Sequence, residues 1–129
     1  MESSVPIDEP QPSQLFIDAQ RLRNGLEWFD FENPTYDPIP VLHIDDEIVL
    51  SDGHTRAVLA YLGGANRLEI VPDPDQQELN IPLYRECVGW CRQECVTQVA
   101  DLTQRVVSRP TFLEQWVARC HSSPLYDED

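Results

Sequence analysis

Basic side chains are scarce in this chain: 9 arginines and lysines stand against 23 aspartates and glutamates, for a formal net charge of -14. Proteins that grip nucleic acid draw affinity from a basic face that displaces counterions from phosphates, so this balance argues strongly against a nucleic-acid partner. The same excess of acid argues against docking on an anionic membrane. No apolar stretch approaches the ~18 residues needed to cross a bilayer. The N-terminus MESSVPIDEPQPSQ lacks both the basic and the apolar regions of a secretory signal. A cytoplasmic location is therefore expected, and with it reduced thiols rather than disulfides. Internal repeats are lacking too. None of this excludes a phosphate ligand, because one pocket can be locally positive or a metal ion can bridge.

What is present suits one folded domain: 129 residues, 41% hydrophobic and 9% aromatic. Residues 1–14, polar and carrying Pro6, Pro10 and Pro12, are expected as a flexible tail, and residues 122–129 as another. Between them, 15–121 is expected to form a single domain, with a core over 15–72 and a helical part over 83–121. Leu15-Phe16-Ile17 opens the first strand and leads into a short turn or single helical turn at Asp18 to Arg23. The aromatic stretch Asn24 to Phe31 follows, holding Glu27 and Asp30, and then an irregular connection through Pro34, Pro38 and Pro40. Ile39 to Ile44 and Glu47 to Ser51 read as a hairpin turning at Asp45-Asp46.

The informative stretch is Glu47 to Val71. Its apolar run Ile48-Val49-Leu50 stops at Asp52-Gly53, a turn signal, and helical spacing takes over at Ala57, Val58, Tyr61 and Leu62. Gly63-Gly64 ends that helix, and Leu68 to Val71 is the next strand. A helix N-terminus at the end of a strand offers unpaired N–H groups and a positive dipole end to an anion. The polar residues of the turn fit that role. Arg56 can hold a phosphate or carboxylate in two bonds, Ser51 and Thr55 bring hydroxyls, His54 an imidazole, and Asp52 a carboxylate for a metal or a proton. The plainer alternative is that Asp52 caps the helix and Arg56 pairs with one of the many acids.

The last third reads as three helices. Leu83, Cys87, Trp90, Cys91 and Cys95 mark one face of the first. Thr97 caps a second, with Val99, Leu102 and Val106 inward, and Ser108 with Pro110 starts a third whose stripe is Phe112, Leu113, Trp116, Val117 and Cys120. Trp90 and Trp116 are expected as core anchors, and the four cysteines as buried thiols rather than a metal site.

The stretch Ile39 to Gly64, IPVLHIDDEIVLSDGHTRAVLAYLGG, resembles the core of the ParB/sulfiredoxin superfamily, in which a strand enters a Gly-Glu-Arg-Arg turn and then a helix. Gly53 and Arg56 fall on the first and last positions of that motif, and Gly53 and Gly64 keep its eleven-residue glycine separation. Aligned with sulfiredoxins, His54 stands where the reactive cysteine should be, which argues against their chemistry. The turn most resembles that of the free-serine kinases of the superfamily, Asp-Gly-His-x-Arg, matched by Asp52, Gly53, His54 and Arg56. The resemblance covers about residues 15–72. It implies a small mixed α/β (α+β) sheet with a phosphate-binding strand-turn-helix and C-terminal helices packed on it. It also implies a nucleotide or other phosphate ligand (ATP, ADP or CTP), held by Ser51, Gly53, His54, Thr55 and Arg56, with Mg²⁺ on Asp52. In those kinases a glutamate shortly after the first strand is the general base. Aligned on that strand, Leu26 takes its place and Glu27 lies one residue along, so Glu27, Asp52 and His54 are the candidate catalytic residues.

Two functions follow from different classes. One is a nucleotide- or phosphate-binding module without chemistry; the other is a kinase of a small hydroxyl metabolite such as free serine. DNA binding or nuclease action, by analogy with ParB proteins, is disfavoured by charge and by the lack of a basic recognition helix.

Overall fold

The computed structural model describes residues 3–126. In chain order these form β1 (Ser3–Pro6), β2 (Ile17–Asp18), α1 (Ala19–Trp28), β3 (Ile39–Ile44), β4 (Glu47–Leu50), α2 (His54–Leu62) and β5 (Arg67–Pro72). Then come α3 (Ile81–Gln93), a 3-10 segment at Val99–Gln104 and β6 (Val106–Val107). The final helix runs as α4 (Arg109–Phe112), a π turn (Leu113–Val117) and α5 (Ala118–His121). The class is α+β, as expected from the sequence.

The main sheet has the order β1-β5-β3-β4 and is mixed: β5 lies parallel to β3, and the two outer pairs are antiparallel. The β3–β4 hairpin turns through two residues, Asp45 and Asp46, both at positive φ (52° and 67°). That is the geometry whose twist matches the flanking strands, and short polar residues tolerate it best. Alternate side chains of β3 and β5, among them Ile39, Val41, Leu68 and Ile70, face α2, which buries Ala57, Val58, Leu59 and Ala60 against them. Leu42, Ile44 and Val49 point to the other face and meet Val88 of α3. Trp116 belongs to the core and meets Trp90 edge-on at 5.9 Å, so both tryptophans anchor packing as expected.

Several boundaries differ from the sequence expectation. Within the segment 1–14, expected as a flexible tail, Ser3–Pro6 pairs with β5, and Gln11 and Ser13 are buried. Gln11 exchanges backbone bonds with the far edge of β4, accepting from Leu50 N and donating to Ile48 O, while its side-chain amide donates to Val96 O. Residues 1–2 and 127–129 lie outside the described residues. Within the expected C-terminal tail, Ser123 is buried and bonds Glu86, and the Leu125 carbonyl accepts from Asn80. The short turn expected after the first strand is a full helix, α1, started by Asp18, whose Oδ1 accepts from Gln20 N at 2.9 Å. The Asp18 carboxylate, almost fully buried, also pairs with Arg109 Nη1 at 3.0 Å. Val106, expected on a helix, instead pairs in parallel with Ile17, so β2 lies outside the main sheet. Cys87 and Cys91 are buried as expected, but Cys95 is exposed and at positive φ (63°), where it ends the helical segment. Among the described residues no helix is long and apolar enough to cross a membrane.

If 7–14 is a structural strap, Gln11→Ala leaves the buried Val96 carbonyl without its partner and costs about 1–3 kcal/mol. Urea unfolding checks this; a residue in a mobile tail would leave the midpoint where it was.

Candidate functional site

β4 ends at Leu50 and the chain reverses into α2 through Ser51, Asp52 and Gly53. Gly53 sits at φ 72°, a left-handed conformation that costs other L-residues about 1–2 kcal/mol. A Cβ there would also lie 2.8 Å from Arg56 Nη2. The guanidinium is thus folded back over the turn, donating from Nη1 to the Asp37 carbonyl at 3.0 Å. No side chain caps α2. Asp52 Oδ1 accepts from Gly53 N instead, at 2.8 Å, so among the described residues the first N–H groups of the nine-residue helix have no side-chain cap.

These N–H groups border a cavity of about 310 Å³ between the turn and α1. Asp52, Gly53, His54, Thr55 and Arg56 line one side of it. Arg21, Asn24, Gly25 and Trp28 line the other, at the i, i+3, i+4, i+7 spacing of a single helix face. Gly25 lets α1 approach this closely, since a Cβ on it would lie 2.6 Å from Cδ1 of the buried Leu59. Arg21 was not a sequence candidate. Its signal is the helical face it shares with Trp28, invisible while α1 is read as a turn. Among the described residues neither Arg21 nor Arg56 forms an ion pair; the arginines that do are Arg85, Arg92, Arg105 and Arg109. Two arginines, Arg21 and Arg56, therefore line the cavity with one acidic residue, Asp52, in a strongly acidic protein.

The structure separates the expected site residues. Asp52, Gly53, Thr55 and Arg56 border the cavity together. Ser51 does not: it is buried, its Oγ donates to Asp73 Oδ2 at 2.6 Å, and its carbonyl accepts from Tyr84 OH at 3.0 Å. Burial, with Asp52 and Asp73 nearby, pushes the Tyr84 hydroxyl up to about 12. Glu27 is exposed and absent from the cavity wall, because it lies roughly 100° around α1 from the Arg21–Trp28 face. It is not placed to take a proton from a ligand there. His54 borders the cavity but is 4% exposed, and its Nε2 accepts the Ser13 backbone N–H at 3.0 Å. That bond assigns the ring proton to Nδ1. Burial lowers the His54 pKa from 6.5 to about 4, against the opposing pull of Asp52. His54 therefore stays neutral, and the lone pair a general base would use is already engaged. Among the described residues no three acidic, histidine or cysteine side chains gather to hold a metal by themselves. Asp52 alone supplies a carboxylate, which suits Mg²⁺ only in the mode where phosphate and water provide most ligands.

No family model matches the chain, and no curated protein matches it. The structure is similar to the crystal structure of protein Atu1540 from Agrobacterium tumefaciens. The TM-score is 0.55 and the sequence identity 15%, over 79% of this chain and 61% of that one. The likeness is one of fold. This chain thus spans less than two thirds of the length it is matched to.

The His54 shift has a sign that can be measured. The folded pKa lies below the unfolded value, so its contribution is present above about 6.5 and is lost as pH falls toward about 4. Between about pH 7 and pH 5 this removes on the order of 2 kcal/mol of stability. Urea titrations at both pH values should show the loss, and His54→Gln should lack that part of it.

Proposed function

We propose that the protein binds a phosphate-bearing ligand, a nucleotide in the first instance, in the cavity between α1 and the β4–α2 turn. The observation that carries this reading is the pairing of Arg21 and Arg56 across a cavity that also takes in the N-terminal end of α2, with no ion pair occupying either guanidinium among the described residues. An anion there gains charge-assisted bonds from two elements and the helix dipole together. Trp28, half-exposed at the rim, offers an aromatic face to the rest of the ligand. The resemblance of the Asp52-Gly53-His54-Thr55-Arg56 turn to the free-serine kinases of the ParB/sulfiredoxin superfamily supports the same reading. Mg²⁺ enters it as a bridge between Asp52 and the phosphates.

Binding without chemistry is the function best supported. Of the three candidate proton acceptors, His54 has its Nε2 engaged and Glu27 is off the cavity, which leaves Asp52 alone. A kinase of a small hydroxyl metabolite would therefore have to use Asp52 as its base. Nucleic acid fits poorly with a net charge of -14. In this reading the protein works in the cytoplasm, where free thiols stay reduced.

Thermal-shift titration with ADP, ATP and CTP, with and without Mg²⁺, tests the proposal through ligand-linked stabilisation. At least one nucleotide should raise the melting temperature. Arg21→Ala and Arg56→Ala should each weaken binding about tenfold to a hundredfold, the loss of one charge-assisted contact. Asp52→Asn should remove only the Mg²⁺-dependent part. No stabilisation by any of the three would defeat the nucleotide reading.

A further inference from the structure

We propose that the ligand held at this turn carries an apolar body of about the size of a phenyl ring, and that this body is seated in a second chamber on the other side of His54. The inference rests on the anion-binding reading above and adds the class of molecule.

The chamber has a volume of about 190 Å³ and lies between the β4–α2 turn, α3 and the C-terminal helix. For scale, a dry apolar cavity of about 150 Å³ holds benzene. Gln14 and His54 border both this chamber and the anion cavity, so a single ligand passing beside the imidazole would touch both. The far walls are Leu83, Cys87, Trp116 and Cys120. Trp116 is delivered by the π turn at Leu113–Val117, an irregularity found often at functional sites.

The hydroxyl hydrogens that border the chamber are already donated within the protein, which limits what it can accept. Ser13 Oγ donates to Leu50 O at 2.6 Å, Ser51 Oγ to Asp73 at 2.6 Å, Tyr84 OH to Ser51 O at 3.0 Å, and Gln14 Nε2 to Phe16 O at 2.7 Å. Among the described residues no arginine or acid lines the chamber, and His54 is neutral. The Cys87 thiol is pushed upward by its hydrogen bond to Cys120 and by burial, which keeps it uncharged. A hydroxyl- or amine-bearing group such as the body of free serine would give up water for the few acceptor lone pairs on Ser13, Ser51, Tyr84 and Gln14, on a wall that is otherwise Leu83, Cys87, Trp116 and Cys120. An aromatic or branched apolar group loses nothing and gains contact with Trp116 and Leu83.

The test compares orthophosphate, phenyl phosphate and phenol by calorimetry on the full chain, with Cys120 alkylation followed by mass spectrometry. Exposed Cys95 is the internal reference for alkylation. Phenyl phosphate should bind at least about tenfold more tightly than orthophosphate. It should shield Cys120 while Cys95 reacts freely. In Cys120→Phe, and independently in Leu83→Phe, each checked for folding by circular dichroism, its affinity should fall to the orthophosphate level. Arg56→Ala should weaken both anions together. Equal affinity of the two anions, or a gain that survives both filling variants, overturns the proposal while leaving the anion site standing. Shielding by phenol with no binding of either anion would instead remove the anion site, and the two-part ligand with it.

Discussion

The backbone N–H of Ser13 points at Nε2 of His54 across 3.0 Å, in a place where the ring is only 4% exposed. That bond requires a neutral imidazole, and burial supplies the same demand by holding the ring's pKa near 4. Much else hangs on it. The ring becomes a fixed wall shared by two cavities, the first residue of α2 is tied to the N-terminal strap, and the turn loses a proton acceptor while keeping its backbone donors. Were His54 charged, Ser13 N would face a second donor and the strap would have to lift. The geometry of the proposed anion site is therefore conditional on residues far from it in sequence.

Charge around the turn is local. A chain with 23 acids and 9 basic residues presents two guanidiniums at one opening that form no ion pair among the described residues, with Asp52 as the one described acid on that wall. Arg56 is held by a backbone carbonyl rather than a carboxylate, so its charge is not cancelled. Arg21 arrives from α1, whose approach to α2 depends on the missing side chain at Gly25. In the proposed reading, preference for anions would come from the shape that brings two helices together more than from overall composition.

The strand, turn and helix around Gly53 were legible because Asp-Gly, Gly-Gly and a clean switch of apolar spacing act within a few residues of each other. The fate of His54 was not, since its partner is a backbone group 41 residues away. Helix α1 was hidden by Asn24-Gly25, poor helix formers whose cost is offset by tertiary packing on Leu59. Strand β1 is polar and short, and only its pairing with β5 defines it. Val106 fits a helical stripe with Val99 and Leu102 equally well; the parallel bridge to Ile17 decides otherwise. Ser51 looked like a ligand group because a hydroxyl beside a turn says nothing of the Asp73 carboxylate waiting 22 residues on. Local chemistry thus marked out the candidate turn, and long-range contacts decide which of its residues border the cavity.

The backbone of Gln11 lies along the outer side of β4, taking up the Ile48 carbonyl and the Leu50 amide that would otherwise be open. A sheet whose last strand is closed in this way has no ladder to offer another chain on that flank. Among the described residues, strand addition to the main sheet, the common route to β-mediated self-association, is left the outer side of β1. One glutamine from a stretch that reads as featureless thus also works as a stopper against polymerisation.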